Sequence, residues 1–162
     1  MNQHAMLSKL RSPFWFRYFL FRSLPAAFFT GLHLASLNES SSRVELRYSW
    51  FSKNPFRSIY FACLAMAAEM ASGILALIHT RHIRPGVSML VLSMEASFHK
   101  KAIGRIHFLC QDGDIIRDAV QQAISSQEGI TCDTISKGYD AQGNCVATFK
   151  ISWTFKQRSA AI

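Results

Sequence analysis

The most prominent pattern in the chain is a stretch where polar positions almost disappear. From Ile59 to Ile78 the sequence is apolar nearly throughout, and its one charged residue is Glu69. A helix that is apolar on every side belongs in the centre of a fold or in a bilayer. At about 100° per residue, Ser58, Ala62, Ala65, Met66, Glu69, Ser72, Gly73 and Ala76 share one side. Tyr60, Leu64, Ala67, Ala71, Ile74 and Ile78 share the other. The first side is small and slightly polar, and the second is bulkier. Small residues let a neighbouring backbone come close in either setting. A carboxylate at mid-bilayer costs roughly 2.5–3.5 kcal/mol. The flanking chain reads as strands able to wrap such a helix, which favours the centre of a fold.

The rest of the pattern supplies those strands. Residues 1–11 read as loose. Ser12-Pro13 suits a helix start, and FWFRYFLFRSL continues it up to Pro25. LHLASL is a short strand, and NESSS is a turn. Arg43 to Trp50 alternates, with Val44, Leu46, Tyr48 and Trp50 on the face expected to be buried. Arg84-Pro85-Gly86 breaks the chain after the central helix. Met89 to His99 alternates, and Lys100 to Gly104 reads as the turn of a hairpin into Arg105–Gln111. Ile115, Ile116, Ala119, Val120, Ala123 and Ile124 form the apolar stripe of a second helix, started near Asp112 and Asp114 and ended by Gly129. Ile130 to Tyr139 is a strand, and Asp140 to Gly143 is a turn. In the last strand Cys145, Ala147, Phe149, Ile151, Trp153 and Phe155 face one way. The pattern predicts an α+β fold with an antiparallel sheet curled around the long helix. Residues 1–27 form an N-terminal tail and aromatic-rich helix, and residues 28–162 a single domain.

Composition narrows the chemistry. The net charge is +8, and it is unevenly placed. Residues 1–105 carry thirteen Lys/Arg against four Asp/Glu, while residues 106–162 carry five against six. An anionic partner or simple solubility explains such a bias. The helix at Phe14–Leu24 has six aromatics, with Arg17 and Arg22 on a wetter side. It packs on the domain or a partner subunit, or it touches lipid. Cys63, Cys110, Cys132 and Cys145 form no CxxC pair and read as reduced core residues of a cytoplasmic protein. The N-terminus makes a poor signal peptide, because Arg17 and Arg22 interrupt it. There is no GxSxG, P-loop or GxGxxG. His79 and His82 form an HxxH without a third ligand, so no metal is expected. No recognition motif for nucleic acid accompanies the charge.

The wrapped helix and its lead-in, NPFRSIYFACLAMAAEMASG, resemble the hotdog fold of acyl-CoA thioesterases. In the phenylacetic-acid-pathway and hydroxybenzoyl-CoA types, an Asn or Gln precedes the helix and a His-Gly-Gly turn opens it. An Asp or Glu follows nine residues after that His. Here Asn54 lies fifteen positions before Glu69, and Tyr60-Phe61-Ala62 stands in place of His-Gly-Gly. The runs NPF, SIYFA and MAAE look closer still to an uncharacterised thioesterase-like hotdog family. The resemblance covers roughly residues 28–157.

The resemblance implies hydrolysis of an acyl-CoA thioester at a site shared between two subunits of a homodimer, or of a tetramer. Glu69 would be the base or nucleophile. The Phe61 backbone N–H would stabilise the oxyanion, and Asn54 would orient the water or the carbonyl. Ser58, Tyr60 and Ala62 would line the substrate site. Arg57, Arg84, Lys100, Lys101 and Arg105 are candidates for the phosphates of coenzyme A, which enters as substrate and not as a resident cofactor. The plainer readings are a buried acid bonded across the dimer for Glu69, a turn residue for Asn54, and solvated surface for each cation. Phe61 also puts a side chain where glycine lets a ligand approach the backbone. The alternative function is a non-catalytic acyl-CoA or fatty-acyl binding protein on the same fold.

Overall fold

Each strongly periodic segment becomes the element its pattern predicts. A computed structural model describes residues 3–158. In chain order these form α1 (Gln3–Arg11), α2 (Pro13–Ser23), α3 (Pro25–Phe29), β1 (His33–Leu37), β2 (Ser42–Arg47) and α4 (Phe61–Thr80). Then follow β3 (Val87–Phe98), β4 (Arg105–Cys110), α5 (Gly113–Ser126), β5 (Ile130–Tyr139) and β6 (Cys145–Gln157). The six strands make one curled sheet in the order β1-β2-β4-β5-β6-β3, with every neighbouring pair antiparallel. This is the expected hotdog architecture.

The helix α4 lies against the inner face of the sheet. On β6 the alternate residues Phe149, Ile151, Trp153 and Phe155 are buried on that face, while Lys150 and Lys156 point outward. Burying a large apolar side chain contributes about 1.5–3 kcal/mol relative to leaving it exposed. Position along α4 is set by polar contacts. Ser136 Oγ on β5 donates to the Ala68 carbonyl at 2.8 Å, Ser42 Oγ on β2 donates to the Ala71 carbonyl, and Trp153 Nε1 donates to Ser72 Oγ at 3.0 Å. Gly138 leaves room for Phe108, since a Cβ there would come within 2.6 Å of the ring. α5 packs its stripe of Ile116, Ala119, Val120 and Ala123 beside the later turns of α4. α1 and α2 cover β1, and α1 and α3 rest on α4. By length and apolar composition α4 could cross a membrane, and 67% of that window is buried within the fold.

Four expectations need correction. Residues 3–11 are helical, because Met6, Leu7 and Leu10 share a buried face. β3 and β4 do not form a hairpin; β3 pairs with β6 at the edge of the sheet, and β4 lies between β2 and β5. The segment between them is a crossover whose backbone bonds are already taken. The amides of His99 and Lys100 donate to the Val146 carbonyl, and the Ala102 and Gly104 carbonyls accept from Ile59 and Tyr48. β2 stops at Arg47, where Ser52 Oγ accepts from the Ser49 amide and donates to the Arg47 carbonyl, turning the chain out. Tyr48 and Trp50 are therefore exposed. α5 ends at Ser126, and Gln127 takes the left-handed conformation at its C-terminal cap (φ 59°), two residues before Gly129.

Candidate functional site

The site begins with a loop that Asn54 holds together. Its Oδ1 accepts from the Phe56 amide (3.0 Å), the Ser58 amide (3.2 Å) and Ser58 Oγ (3.1 Å). Its Nδ2 donates to Ser58 Oγ at 3.0 Å and to the Ile59 carbonyl at 3.5 Å. Arg57 sits at positive φ (57°) to close the turn. Asn54, expected to face the water or the carbonyl, thus commits its amide to its own loop, and Ser58 is its partner.

That loop delivers the chain into α4. Tyr60 is the N-terminal cap residue in extended conformation (φ −64°, ψ 136°), and its side chain does not cap the helix. The first intrahelical bonds are those from Cys63 and Leu64 to the Tyr60 carbonyl. The N–H groups of Phe61 and Ala62 have no acceptor among the described residues. Such orphan donors sit at the positive end of a twenty-residue helix. They adjoin a cleft of about 300 Å³ lined by Asn54, Ser58, Tyr60, Phe61, Lys100 and Lys101. Phe56, Leu64 and Phe98 complete its walls. The Phe61 ring is more than half exposed and meets Tyr60 at 4.8 Å and Phe98 at 6.5 Å, both edge to face.

Glu69 lies eight residues further along the helix, about 12 Å by the helical rise. It is half-buried. Its Oε1 stands beside Gly73, where a Cβ would approach to 2.9 Å, and the Trp153 ring closes the same spot at 3.4 Å. The carboxyl has no hydrogen bond or ion pair among the described residues. Burial alone raises its pKa above the usual carboxylate range.

The expected cations divide. Lys100 and Lys101 line the cleft, with Lys100 paired to Asp140 at 3.1 Å and Lys101 free of ion pairs among the described residues. Arg57 is exposed on the loop. Arg105 approaches Glu45 on β2 at 3.8 Å. Arg84 follows the opposite end of α4, about 30 Å from the cleft by the helical rise, and does not join the group. Ala62 is half-buried beside its free amide. Sequence reasoning missed Phe98, Trp153 and the role of Gly73. The i, i+4 spacing of Glu69 and Gly73 was the available signal.

Other chemistry is not assembled among the described residues. No group of three His, Cys, Asp or Glu is placed to hold a metal. His79 Nε2 bonds the Glu39 carbonyl at 2.9 Å, and His82 Nδ1 bonds the Ile78 carbonyl at 3.2 Å. Burial pushes the Cys110 and Cys132 thiols up to about 11, and the Cys63 thiol upward as well, so none is a thiolate at neutral pH.

Solved structures share this architecture. A Pseudomonas aeruginosa protein of unknown function, described as a probable thioesterase, has a TM-score of 0.76 at 21% identity, covering 91% of this chain and 97% of its own. A Chlorobaculum tepidum protein of unknown function has a TM-score of 0.75 at 14% identity, covering 93% and 99%. The PaaI protein of the Escherichia coli phenylacetic acid degradation operon has a TM-score of 0.62 at 12% identity, covering 90% and 92%. At such identities the likeness establishes the fold, the hotdog fold of thioesterase-like proteins. No protein of curated function matches the chain. Residues 16–155 match the family described as a domain of unknown function, DUF4442, and the chain belongs to that family.

Proposed function

We propose that this protein is an acyl-CoA thioesterase whose site is completed by a second subunit. The observation that carries the reading is a pair of unmet needs on one helix. Among the described residues, two N–H donors are open at its start, and one half-buried acid is unpaired two turns later. About 12 Å of helix separates them, so they cannot serve one carbonyl within a single chain. A second copy resolves this by bringing its acid to the first copy's amides.

The chemistry follows from the groups. The thioester carbonyl accepts from the Phe61 and Ala62 amides. Glu69 of the partner subunit takes a proton from water as the oxygen attacks the carbonyl carbon. The oxyanion is held by the two amides and the helix dipole. Collapse breaks the C–S bond, and the thiolate leaves with the proton, giving a carboxylic acid and coenzyme A. The Phe98, Phe61 and Leu64 side chains accommodate the acyl group, while Lys101 in the cleft wall, with Arg57 exposed on the neighbouring loop, takes the phosphates. Asn54 acts by positioning the loop.

The edge strand supports a homodimer. Among the described residues, β3 leaves one side of its backbone unpaired over twelve residues and exposes Leu90, Leu92, Met94 and Phe98. Long apolar edges are sites of pairing. The free thiols fit a cytoplasmic location, and we take NPF, SIYFA and MAAE as the mark of this thioesterase-like branch. Purified protein is expected to release coenzyme A from members of an acyl-CoA panel, and Glu69→Ala to abolish it. Full turnover by that variant refutes the assignment.

The exposed Phe61 and Tyr60 rings at the helix start favour a second reading, a non-catalytic acyl-CoA or fatty-acyl binding protein. Native mass spectrometry then shows a retained acyl ligand with no turnover. Absence of both binding and turnover removes both readings.

A further inference from the structure

The helix α2 is apolar on two faces, and one of them is left uncovered by the described residues. Phe16 and Leu20 turn inward and are buried. Phe14, Tyr18 and Phe21 fall within about 60° of one another on the opposite arc, at 100° per residue, and each is more than half exposed. Arg17 and Arg22 flank this arc on either side. An outward aromatic stripe bordered by arginines is the arrangement of a helix lying in a lipid interface, where rings enter the acyl boundary and guanidinium groups reach the headgroups.

The stripe continues beyond α2. Phe21 meets Phe28 at 5.3 Å, Phe28 meets Phe29 at 5.4 Å, Phe29 meets Phe51 at 5.9 Å, and Phe51 meets Trp50 at 5.1 Å. This string of rings joins α2, α3 and the loop after β2. Trp50 is 72% exposed at its end. Cations sit on the rings: Arg17 lies 4.0 Å from the Phe28 centroid, Lys53 5.3 Å from Trp50, and Lys9 5.6 Å from Trp15. Residues 1–38 contain no Asp or Glu and four Lys/Arg. Glu45, which shares a groove with Phe29 and Phe51, is already paired with Arg43 at 3.0 Å.

We propose that this face docks on an anionic lipid surface. Charge decides against a second copy as the occupant. A two-fold contact would set Arg17, Arg22 and Lys53 against like charges with no acid between them. The face lies over the β1 edge of the sheet, and the free strand β3 is the opposite edge, so subunit pairing through β3 leaves it open. The inference does not depend on the thioesterase reading.

Co-sedimentation of the full chain with vesicles tests it. Vesicles of phosphatidylcholine alone are compared with vesicles containing about one-third phosphatidylglycerol, at about 0.1 M and 0.5 M salt. Binding is expected to be at least about tenfold tighter on the anionic vesicles and to weaken several-fold in high salt, with a blue shift of tryptophan emission from Trp15 and Trp50. The double variant Trp50→Ser/Phe51→Ser sits on an exposed loop and leaves the core untouched; it is expected to lose most of the binding while keeping its circular dichroism. Phe14→Ser/Phe21→Ser is expected to do the same from α2. Equal binding to both vesicle types, no binding, or wild-type binding by both variants overturns the proposal. So does loss of an oligomer in the loop variant, which assigns the face to another copy, or tight binding of a single-stranded oligonucleotide in place of vesicles.

Discussion

The two halves of α4 differ in how completely their polar groups are met. From Met70 to Thr80 all but Leu77 are buried, and the polar members have partners. Ser72 accepts from Trp153, Thr80 Oγ1 donates to the Ala76 carbonyl at 2.8 Å, and His79 bonds the Glu39 carbonyl. From Phe61 to Glu69 the helix is partly open, and among the described residues two amides lack acceptors and the acid is unpaired. Buried polar groups are nearly always satisfied, and the closed half keeps that rule, while the unpaired groups of the open half retain access to solvent. A helix closed in one half and open in the other fits the proposed division between holding the fold and presenting chemistry.

The largest expected effect is in the open half. Glu69→Ala should reduce kcat/KM for thioester hydrolysis by about 10³-fold or more, with little change in unfolding midpoint. In the closed half the order reverses. Ile74→Ala should cost about 2–5 kcal/mol in urea unfolding by leaving a cavity, without direct effect on chemistry. Phe61→Pro sharpens the division. Proline suits the first helical position, and extended Tyr60 is a compatible predecessor. The change removes one donor and leaves the helix, so kcat should fall about 10²–10³-fold with the fold intact. Ser72→Ala leaves the buried Trp153 N–H without its acceptor and should cost about 1–3 kcal/mol.

The smallest effect is on stability, and it runs against activity. Burial raises the folded-state pKa of Glu69 above its ordinary value of 4.5. Over the window between the two values the folded protein binds more proton than the unfolded chain, so stability falls as pH rises through it. Glu69→Gln removes that slope. It should be more stable than wild type at pH 7, by about 1.4 kcal/mol for each unit of displacement, while losing activity. Thermal melts at pH 4 and 7 read the slope.

Much of this division was legible in the residues. The apolar run around Glu69 placed α4 at the centre, and the strict alternation from Cys145 to Phe155 placed β6 against it. The neighbour of β3 was not legible. Alternation states which face a strand buries, while partner choice depends on where the 99–104 crossover makes its hydrogen bonds. Tyr48 and Trp50 continued the alternation of β2, but two serines turned the chain outward. α1 was hidden because its three buried residues are few among polar ones. In the site, the spacing of Asn54, Phe61 and Glu69 was visible in the chain. The enclosure of Glu69 by Trp153 was not, since it joins residues 84 positions apart.

Subunit complementation tests the shared site most directly. Glu69→Ala and Phe61→Pro proteins, each inactive alone, are unfolded together, refolded and assayed. If each site takes its amides from one chain and its acid from the other, half of the dimers are mixed and each holds one intact site. Activity should then return to about a quarter of wild type. No return of activity in verified mixed dimers would contradict the account.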